Sequence, residues 1–225
     1  MKNVQTVIWD CDGVMWFYKK PEEEVAIISE VLKVPYSKEF EDEYMNLLST
    51  FDNYFAKHRT TTSQYYRLIE ETMPILSFFN VSIEQFVKIW NEIQVEISIL
   101  NKDIQVVLEY LKNKGIKSIV KTDWWRDAQI TKMKGYGLID YIEEIHACDN
   151  GYLKTNPIST ADEIIRNGNK GEYVIVGDRL DCDINYAQRS GIKSIWFNKD
   201  GKDSTGQPYH PTAEISSLLE IMQIL

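Results

Sequence analysis

The sequence predicts an α/β fold in which a doubly wound parallel sheet carries an inserted all-helical segment. A short apolar run, Val7 to Trp9, has the character of a buried strand in a parallel sheet. Residues 16–100 show helical periodicity without a convincing strand, and from about residue 101 strands alternate with helices. The predicted division is a core of residues 1–15 and 101–225 and a helical insertion of residues 16–100.

The first strand ends in Asp10-Cys11-Asp12-Gly13, and the glycine allows a tight turn. In an extended backbone Asp10 and Asp12 point to the same side, at the carboxyl end of the strand where open α/β sheets bind ligands. Two such close carboxylates need a cation between them or a proton on one of them. The alternative is an ordinary turn rich in Asp and Gly.

The insertion is predicted to be helical because its apolar residues recur at helical spacing and prolines bracket its first helix. It carries 8 Lys and Arg against 14 Asp and Glu, so it holds −6 of the net charge of −9. The residues that define the helical faces are Val25, Ile28, Val31 and Leu32, then Tyr65, Leu68 and Ile69, then Ile83, Phe86, Val87 and Trp90.

The second part of the chain is predicted to continue as alternating helices and strands. Gly115 is the expected end of the first helix, and Pro157 the expected start of a later one. The predicted helices are Ile104 to Leu111, Arg126 to Tyr136, Pro157 to Asn167, Asp181 to Ser190 and Ile215 to Leu225. The predicted strands are Ile116 to Val120, Glu144 to Ala147, Tyr173 to Val176 and Ile192 to Phe197.

Composition narrows the function. The chain has 225 residues, 44% hydrophobic, with a net charge of −9 and a pI near 5.0. That charge has the wrong sign for a nucleic-acid or anionic-membrane binding face. Three distant cysteines indicate neither a disulfide framework nor a zinc site. With neither a signal-peptide pattern nor a run of membrane-spanning length, we expect a soluble cytoplasmic protein, monomeric or homodimeric.

Reactive side chains follow several of the predicted strands. Asp10 and Asp12, Thr122, and Asp178 with Asp183 stand at strand ends, and Lys154 lies in a loop before a helix. Parallel strands bring such ends together in one crevice. Taken singly, Thr122 is better explained as strand filler and Lys154 as a solvated surface lysine, and Asp178 has the alternative of an ordinary turn residue.

Together and in this order, these motifs resemble the four motifs of the haloacid dehalogenase-like (HAD) hydrolase superfamily, whose core is Rossmann-like. The helical insertion resembles the cap of its subclass I members, such as phosphoglycolate phosphatase and beta-phosphoglucomutase. The motifs are Asp10-Cys11-Asp12-Gly13-Val14, the strand ending in Thr122, Lys154, and Val176-Gly177-Asp178-Arg179-Leu180-Asp181-Cys182-Asp183.

The resemblance implies a role for each residue. Asp10 would be the nucleophile that forms an aspartyl-phosphate, and Asp12 the general acid and base. Dehalogenase members lack that second aspartate, so its presence implies phosphoryl transfer. Thr122 would hydrogen-bond the phosphoryl group, Lys154 would balance its charge, and Mg²⁺ would be held by Asp10, Asp178 and the backbone carbonyl of Asp12. Asp183 would be an outer partner or a second carboxylate near the ion.

Some residues depart from the family pattern. Asp123 stands where Asn or Gly is common and is expected to hydrogen-bond a backbone group or a substrate amine. Trp124 and Trp125 replace small residues, and Lys154 is not followed directly by proline. Cys11 is interpreted as a buried side chain on the opposite strand face, not a nucleophile.

The expected function is Mg²⁺-dependent hydrolysis of a small phosphorylated metabolite. The alternatives are a sugar phosphomutase, a phosphonatase that would use Lys57 as a Schiff base, and a non-catalytic binding protein. Candidate substrate contacts in the insertion, each equally explained as packing or as a solvated helix end, are Trp16, Phe17 and Tyr18, then Asn53, Lys57, His58 and Arg59.

Overall fold

Six parallel strands make the main sheet of the computed structural model, which describes residues 1–57, 83–147, 153–155, 158–166 and 168–225. The strands of the described chain are β1 Thr6–Trp9, β2 Trp16–Tyr18, β3 Ser98–Leu100, β4 Lys117–Lys121, β5 Glu144–His146, β6 Tyr173–Gly177, β7 Lys193–Phe197 and β8 Ala213–Ile215. The sheet order is β5-β4-β1-β6-β7-β8, and every neighbouring pair is parallel. The doubly wound α/β fold is therefore confirmed.

The helices between these strands are described in the same chain order. They are α1 Pro21–Leu32, α2 Lys38–Lys57, α3 Ile83–Glu92, α4 Ile104–Asn113, α5 Arg126–Gly135, α6 Asp162–Ile165, α7 Asn185–Ser190 and α8 Ile221–Ile224. A π-helical turn, Leu180–Ile184, leads into α7. None of the helices in the described ranges combines the length and apolar character needed to cross a bilayer.

Strand β1 lies at the centre of the sheet because both of its edges are paired. Trp9, its last residue, pairs with Val120 of β4 and Val176 of β6. The chain leaves β1 towards β4 and β5 and returns to β6 on the other side. This is the point where the winding direction reverses, and open α/β sheets bind ligands there. The residues that follow Trp9 therefore enter a crevice between two strand ends.

Alternation along β1 places its side chains on both faces of the sheet. Val7 and Trp9 join one apolar cluster, which includes α4 and the C-terminal segment, while Ile8 joins another, which includes α6 and α7. All three side chains are fully buried. Burying both faces explains why the strand is a continuous apolar run rather than an alternating one.

Two short strands occur where the sequence predicted none. β2 and β3 pair antiparallel at the two ends of the insertion, with Phe17 opposite Ile99. The prediction that residues 16–100 lack a strand is therefore wrong at both ends. Each strand has only three residues, too few to show an alternating pattern, and its partner is distant in sequence. Between them, the regular elements of the described residues are the helices α1, α2 and α3.

The C-terminal predictions also need correction. A helix from Ile215 to Leu225 is wrong, because Ala213–Ile215 is strand β8 and the helical turns begin at Leu218. Ser217 caps that turn, and Ser217 and Glu220 form a capping box that fixes its start. The helix predicted from Pro157 is described only over Asp162–Ile165, and Pro157 itself lies outside the described residues.

The helices of the insertion are joined by a buried polar contact. Tyr44 of α2 donates a hydrogen bond of 2.6 Å to Glu24 of α1 and accepts one of 3.2 Å from the Trp90 indole of α3. All three residues are buried. Burial raises the pKa of Glu24, although the hydrogen bond from Tyr44 opposes the shift.

Replacing Glu24 by Gln is expected to stabilise the protein at neutral pH. The raised pKa means that ionising Glu24 in the folded state costs stability as pH rises above its ordinary value of 4.5. Gln keeps an acceptor for Tyr44 and cannot ionise. The melting temperature of E24Q relative to wild type should therefore increase as pH rises above about 4.5.

The matched control is E22Q, which changes an exposed glutamate on the same helix and should show no such trend. A melting temperature of E24Q below that of wild type at every pH would mean that Glu24 contributes through its charge instead.

Candidate active site

Three carboxylates meet at the carboxyl ends of β1 and β6. One oxygen from each of Asp10, Asp178 and Asp183 lies within 4.8 Å of the other two. Asp10 directly follows β1, Asp178 directly follows β6, and Asp183 lies in the π-helical turn after it. The structure therefore brings together three of the acidic residues that the sequence placed at strand ends.

Lys154 lies between two of these carboxylates. Its Nζ is 2.5 Å from Asp10 Oδ1 and 2.5 Å from Asp183 Oδ1, and its side chain is 2% exposed. Burial works to lower the pKa of Lys154, but the two carboxylates outweigh it and raise that pKa well above its ordinary value. Lys154 is thus a buried, charged lysine and not a solvated one.

One lysine does not balance three carboxylates. Burial, together with the negative charges of Asp183 and Asp178, raises the pKa of Asp10 well above its usual range in spite of Lys154. Burial and the charge of Asp183 likewise raise the pKa of Asp178 to about 6. The cluster therefore favours additional positive charge.

Asp178 has the free ligand atom that a cation would need. Its Oδ1 is buried and has no hydrogen-bond partner among the described residues. In contrast, Asp183 uses Oδ1 for Lys154 and Oδ2 for the backbone N–H of Arg179. Carboxylate oxygens are the ligands that Mg²⁺ prefers. The donor set of this cluster therefore fits a divalent metal ion, for which Asp10 and Asp178 would offer carboxylate oxygens.

Two glycines permit this close packing. Gly13 has a φ of +86°, and a Cβ added there would lie 2.4 Å from Asp178 Oδ2. A Cβ added at Gly177 would lie 2.2 Å from Asp183 Cγ. Any side chain at either position would displace an acidic residue, so the shape of the cluster depends on both glycines.

The Asp12 carboxylate is bound by three side chains. Its Oδ1 accepts hydrogen bonds from Lys132 Nζ at 2.9 Å and from the Trp16 indole at 2.8 Å, and its Oδ2 accepts one of 2.7 Å from Gln129. Burial alone would raise the pKa of Asp12, but Lys132 and these hydrogen bonds lower it below its ordinary value. These contacts therefore favour the ionised form of Asp12.

The Thr122 hydroxyl is oriented by two donors. Its Oγ1 accepts hydrogen bonds of 3.1 Å from the backbone N–H of Trp124 and 3.1 Å from Gln129 Nε2. A hydroxyl has two acceptor positions and one donor. Because both acceptor positions are used, its O–H remains available to donate to a ligand. Thr122 follows β4, next to β1 in the sheet.

Asp123 contacts the loop that carries Lys154. Its Oδ1 accepts the backbone N–H of Lys154 at 2.6 Å, and its Oδ2 accepts that of Thr155 at 2.9 Å. This is the backbone contact that was one of the two expectations for Asp123. Binding of a substrate by Asp123 remains a prediction.

Further residues that the sequence singled out are Cys11, the two tryptophans after Asp123 and a polar group in the insertion. Cys11 is fully buried, and burial raises the pKa of its thiol well above the ordinary value. Trp124 and Trp125 pack against Trp90 of α3, with ring centroids 5.7 and 5.1 Å from it. His58 and Arg59 lie outside the described residues, and so do the side chains of Asn53 and Lys57.

The sequence analysis missed Gln129 and Lys132. Both are fully buried, one turn apart on α5, beside the apolar residues Ala128 and Met133. Polar side chains on the buried face of a helix need partners, and that anomaly was the available signal.

A family model described as haloacid dehalogenase-like hydrolase matches residues 7–197 of the chain. No curated protein matches it significantly. Solved structures do resemble it. The HAD-hydrolase YfnB of Bacillus subtilis, described as bound to magnesium, is 18% identical with a TM-score of 0.71, and the alignment covers 100% of this chain and 99% of that one.

Two further solved structures differ in the activity that their names give. A HAD phosphatase from Thermococcus onnurineus is 21% identical with a TM-score of 0.65, covering 98% of this chain and 97% of that one. A 2-haloacid dehalogenase from Pseudomonas syringae is 20% identical with a TM-score of 0.64, covering 98% and 97%. At these identities the likeness shows the fold, not which of the two reactions this chain catalyses.

Replacing Asp178 by Asn is expected to stabilise the metal-free protein and to abolish its response to Mg²⁺. The substitution removes a carboxylate whose ionisation is opposed by burial and by Asp183. The carboxamide keeps one oxygen but carries no negative charge, so it is a weaker ligand for Mg²⁺ than the carboxylate. In EDTA, D178N should melt at a higher temperature than wild type. Addition of about 5 mM MgCl₂ should raise the melting temperature of wild type but not that of D178N.

The control is D181N, which removes an exposed aspartate paired with Arg179. This variant should keep the Mg²⁺-dependent shift. An equal shift in D178N and wild type would exclude Asp178 as a ligand.

Proposed function

Because the chain belongs to the haloacid dehalogenase-like hydrolase family, we propose that it is a Mg²⁺-dependent phosphatase that hydrolyses a small phosphomonoester. The observation that carries the proposal is the carboxylate cluster of Asp10, Asp178 and Asp183, which Lys154 only partly neutralises. A cluster with that charge suits a metal ion and a phosphoryl group better than a haloacid. The aspartate at position 12 supports the same choice, since the resemblance implies that dehalogenases lack it.

In the first half of the reaction, an oxygen of Asp10 attacks the phosphorus atom and the bond to the leaving oxygen breaks. The product is an aspartyl-phosphate on Asp10. Asp12 in its protonated form gives its proton to the leaving oxygen, so the alcohol departs neutral. Asp12 is two residues from Asp10 and follows the same strand, which supports this assignment.

In the second half, Asp12 is a carboxylate and takes a proton from water as that water attacks phosphorus. The bond between Asp10 and phosphorus breaks, phosphate leaves, and Asp12 holds the proton needed for the next turnover.

The transferring phosphoryl group needs charge neutralisation more than covalent help. Lys154 Nζ contacts Asp10 Oδ1 and so stands beside the attacking atom. The Thr122 O–H supplies a donor for a phosphoryl oxygen. Asp10, Asp178 and the backbone carbonyl of Asp12 would hold Mg²⁺, which would neutralise further negative charge. Asp183 contacts Lys154 Nζ and so helps to hold that lysine beside Asp10.

The test is phosphate release from a panel of phosphorylated metabolites, including sugar phosphates, phosphoglycolate and nucleoside monophosphates, with and without Mg²⁺. Release should require Mg²⁺ and vanish in D10N, which retains the shape of the nucleophile but not its reactivity. Absence of release from every compound, with the fold intact by circular dichroism, would overturn the proposal.

A second prediction concerns Asp123. Asn at this position offers one acceptor oxygen and one amino group to two backbone N–H donors, so one hydrogen bond to a charged acceptor is lost. The kcat/KM of D123N for phosphate release should fall about tenfold. The control D127N changes an exposed aspartate at the start of α5 and should retain activity. Equal values for D123N and wild type would show that Lys154 does not need this support.

A further inference from the structure

We propose that Lys132 is a positioning residue that fixes the direction of the Asp12 carboxyl group, a role that rests on the proposed phosphatase function. Lys132 lies on α5, is fully buried, and is 2.9 Å from Asp12 Oδ1. It touches neither the carboxylate cluster nor Thr122 in any described contact, so its action passes through Asp12.

The ammonium group of Lys132 has several close contacts besides Asp12. Its Nζ also donates a 2.8 Å hydrogen bond to the Tyr18 hydroxyl. It lies 4.9 Å from the centroid of the Trp16 ring and 4.7 Å from that of Tyr18, within range of a cation–π attraction. Trp16 and Tyr18 are two residues apart on β2 and therefore face the same side. Lys132 thus occupies a cage formed by two rings and one carboxylate.

The turn after β1 builds this cage. Met15 donates its N–H to the Cys11 carbonyl at 2.8 Å, and Gly13 donates to the Trp16 carbonyl at 2.9 Å. The chain folds back so that Trp16 stands over Asp12 and donates its indole N–H to it. Lys132 of α5 contributes the ammonium group, which contacts both Asp12 and Tyr18.

Gln129 completes the hold on Asp12. It lies one turn before Lys132, and its Nε2 donates to Asp12 Oδ2 and to Thr122 Oγ1. This orientation of the amide suits an ionised Asp12, because a carboxylate can only accept hydrogen bonds. Both Asp12 oxygens are thereby bound from α5, and rotation of the carboxyl group would break contacts at both.

A general acid must point its proton at one oxygen of the substrate, and small misplacements reduce the rate strongly. The need for that proton depends on the leaving group. An alkoxide is a poor leaving group and requires it, whereas 4-nitrophenolate departs without it. Loss of Lys132 should therefore harm alkyl phosphates more than 4-nitrophenyl phosphate.

The experiment measures kcat/KM for 4-nitrophenyl phosphate and for the alkyl phosphomonoester that wild type hydrolyses fastest. In K132M the loss should be about tenfold or more greater for the alkyl substrate. The control K134M, an exposed lysine on the same helix, should leave the ratio of the two unchanged. K132Q, which keeps an N–H donor without the charge, should fall between K132M and wild type and also serves if K132M does not fold.

An equal loss for both substrates would make Lys132 a structural residue and overturn the inference. Failure of wild type to release phosphate from any compound would instead overturn the proposed function, so the two failures are distinguishable.

Thermal unfolding gives a readout independent of activity. Removing Lys132 leaves the Asp12 carboxylate without its neighbouring cation in the wild-type background but not when Asp12 is already Asn. K132M should therefore lower the melting temperature of wild type more than that of D12N. Equal shifts in the two backgrounds would show that the Lys132 and Asp12 side chains are not coupled, contrary to the inference.

Discussion

Asp10, Asp12, Asp123, Asp178 and Asp183 gather around the end of the central strand, and all but Asp178 have a compensating side-chain or backbone partner. Lys154 bridges Asp10 and Asp183, and Lys132 pairs with Asp12. Asp123 accepts hydrogen bonds from two backbone N–H groups. Asp178 retains a buried oxygen without a partner in the described chain. Mutual repulsion of these carboxylates is the constraint on the site. The lysines and the proposed metal ion offset the repulsion, and the glycines allow the close approach of the acidic side chains.

The two lysines solve the same electrostatic problem in different ways. Lys154 enters from a loop and depends on Asp123 to hold its backbone. Lys132 enters from a regular helix and is enclosed by aromatic rings. One cation lies beside the proposed nucleophile and the other beside the proposed acid and base. Asp10 and Asp12, two residues apart, therefore occupy distinct environments, as their two proposed roles require.

The sequence was sufficient for the fold class and for the meeting of Asp10, Lys154, Asp178 and Asp183, because buried parallel strands have a strong apolar signature and their carboxyl ends share one edge. It was insufficient for β2, β3 and β8, since strands of three residues carry almost no periodicity. Lys132 and Gln129 were missed for another reason. Their partner Asp12 is far away in the chain, and only tertiary packing shows that a polar residue on a buried helix face is satisfied.

The two crossings between core and insertion are fastened to each other. Asn101 donates its backbone N–H to Met15 and its side-chain amide to Val14, and Lys19 donates to the Ile97 carbonyl beyond the β2–β3 pair. The chain therefore leaves the core and returns to it at a single place, through the antiparallel pair β2–β3. In evolutionary terms, such an attachment can be exchanged or enlarged without rebuilding the sheet below it. The same α/β core can therefore carry inserted segments that differ in size and origin.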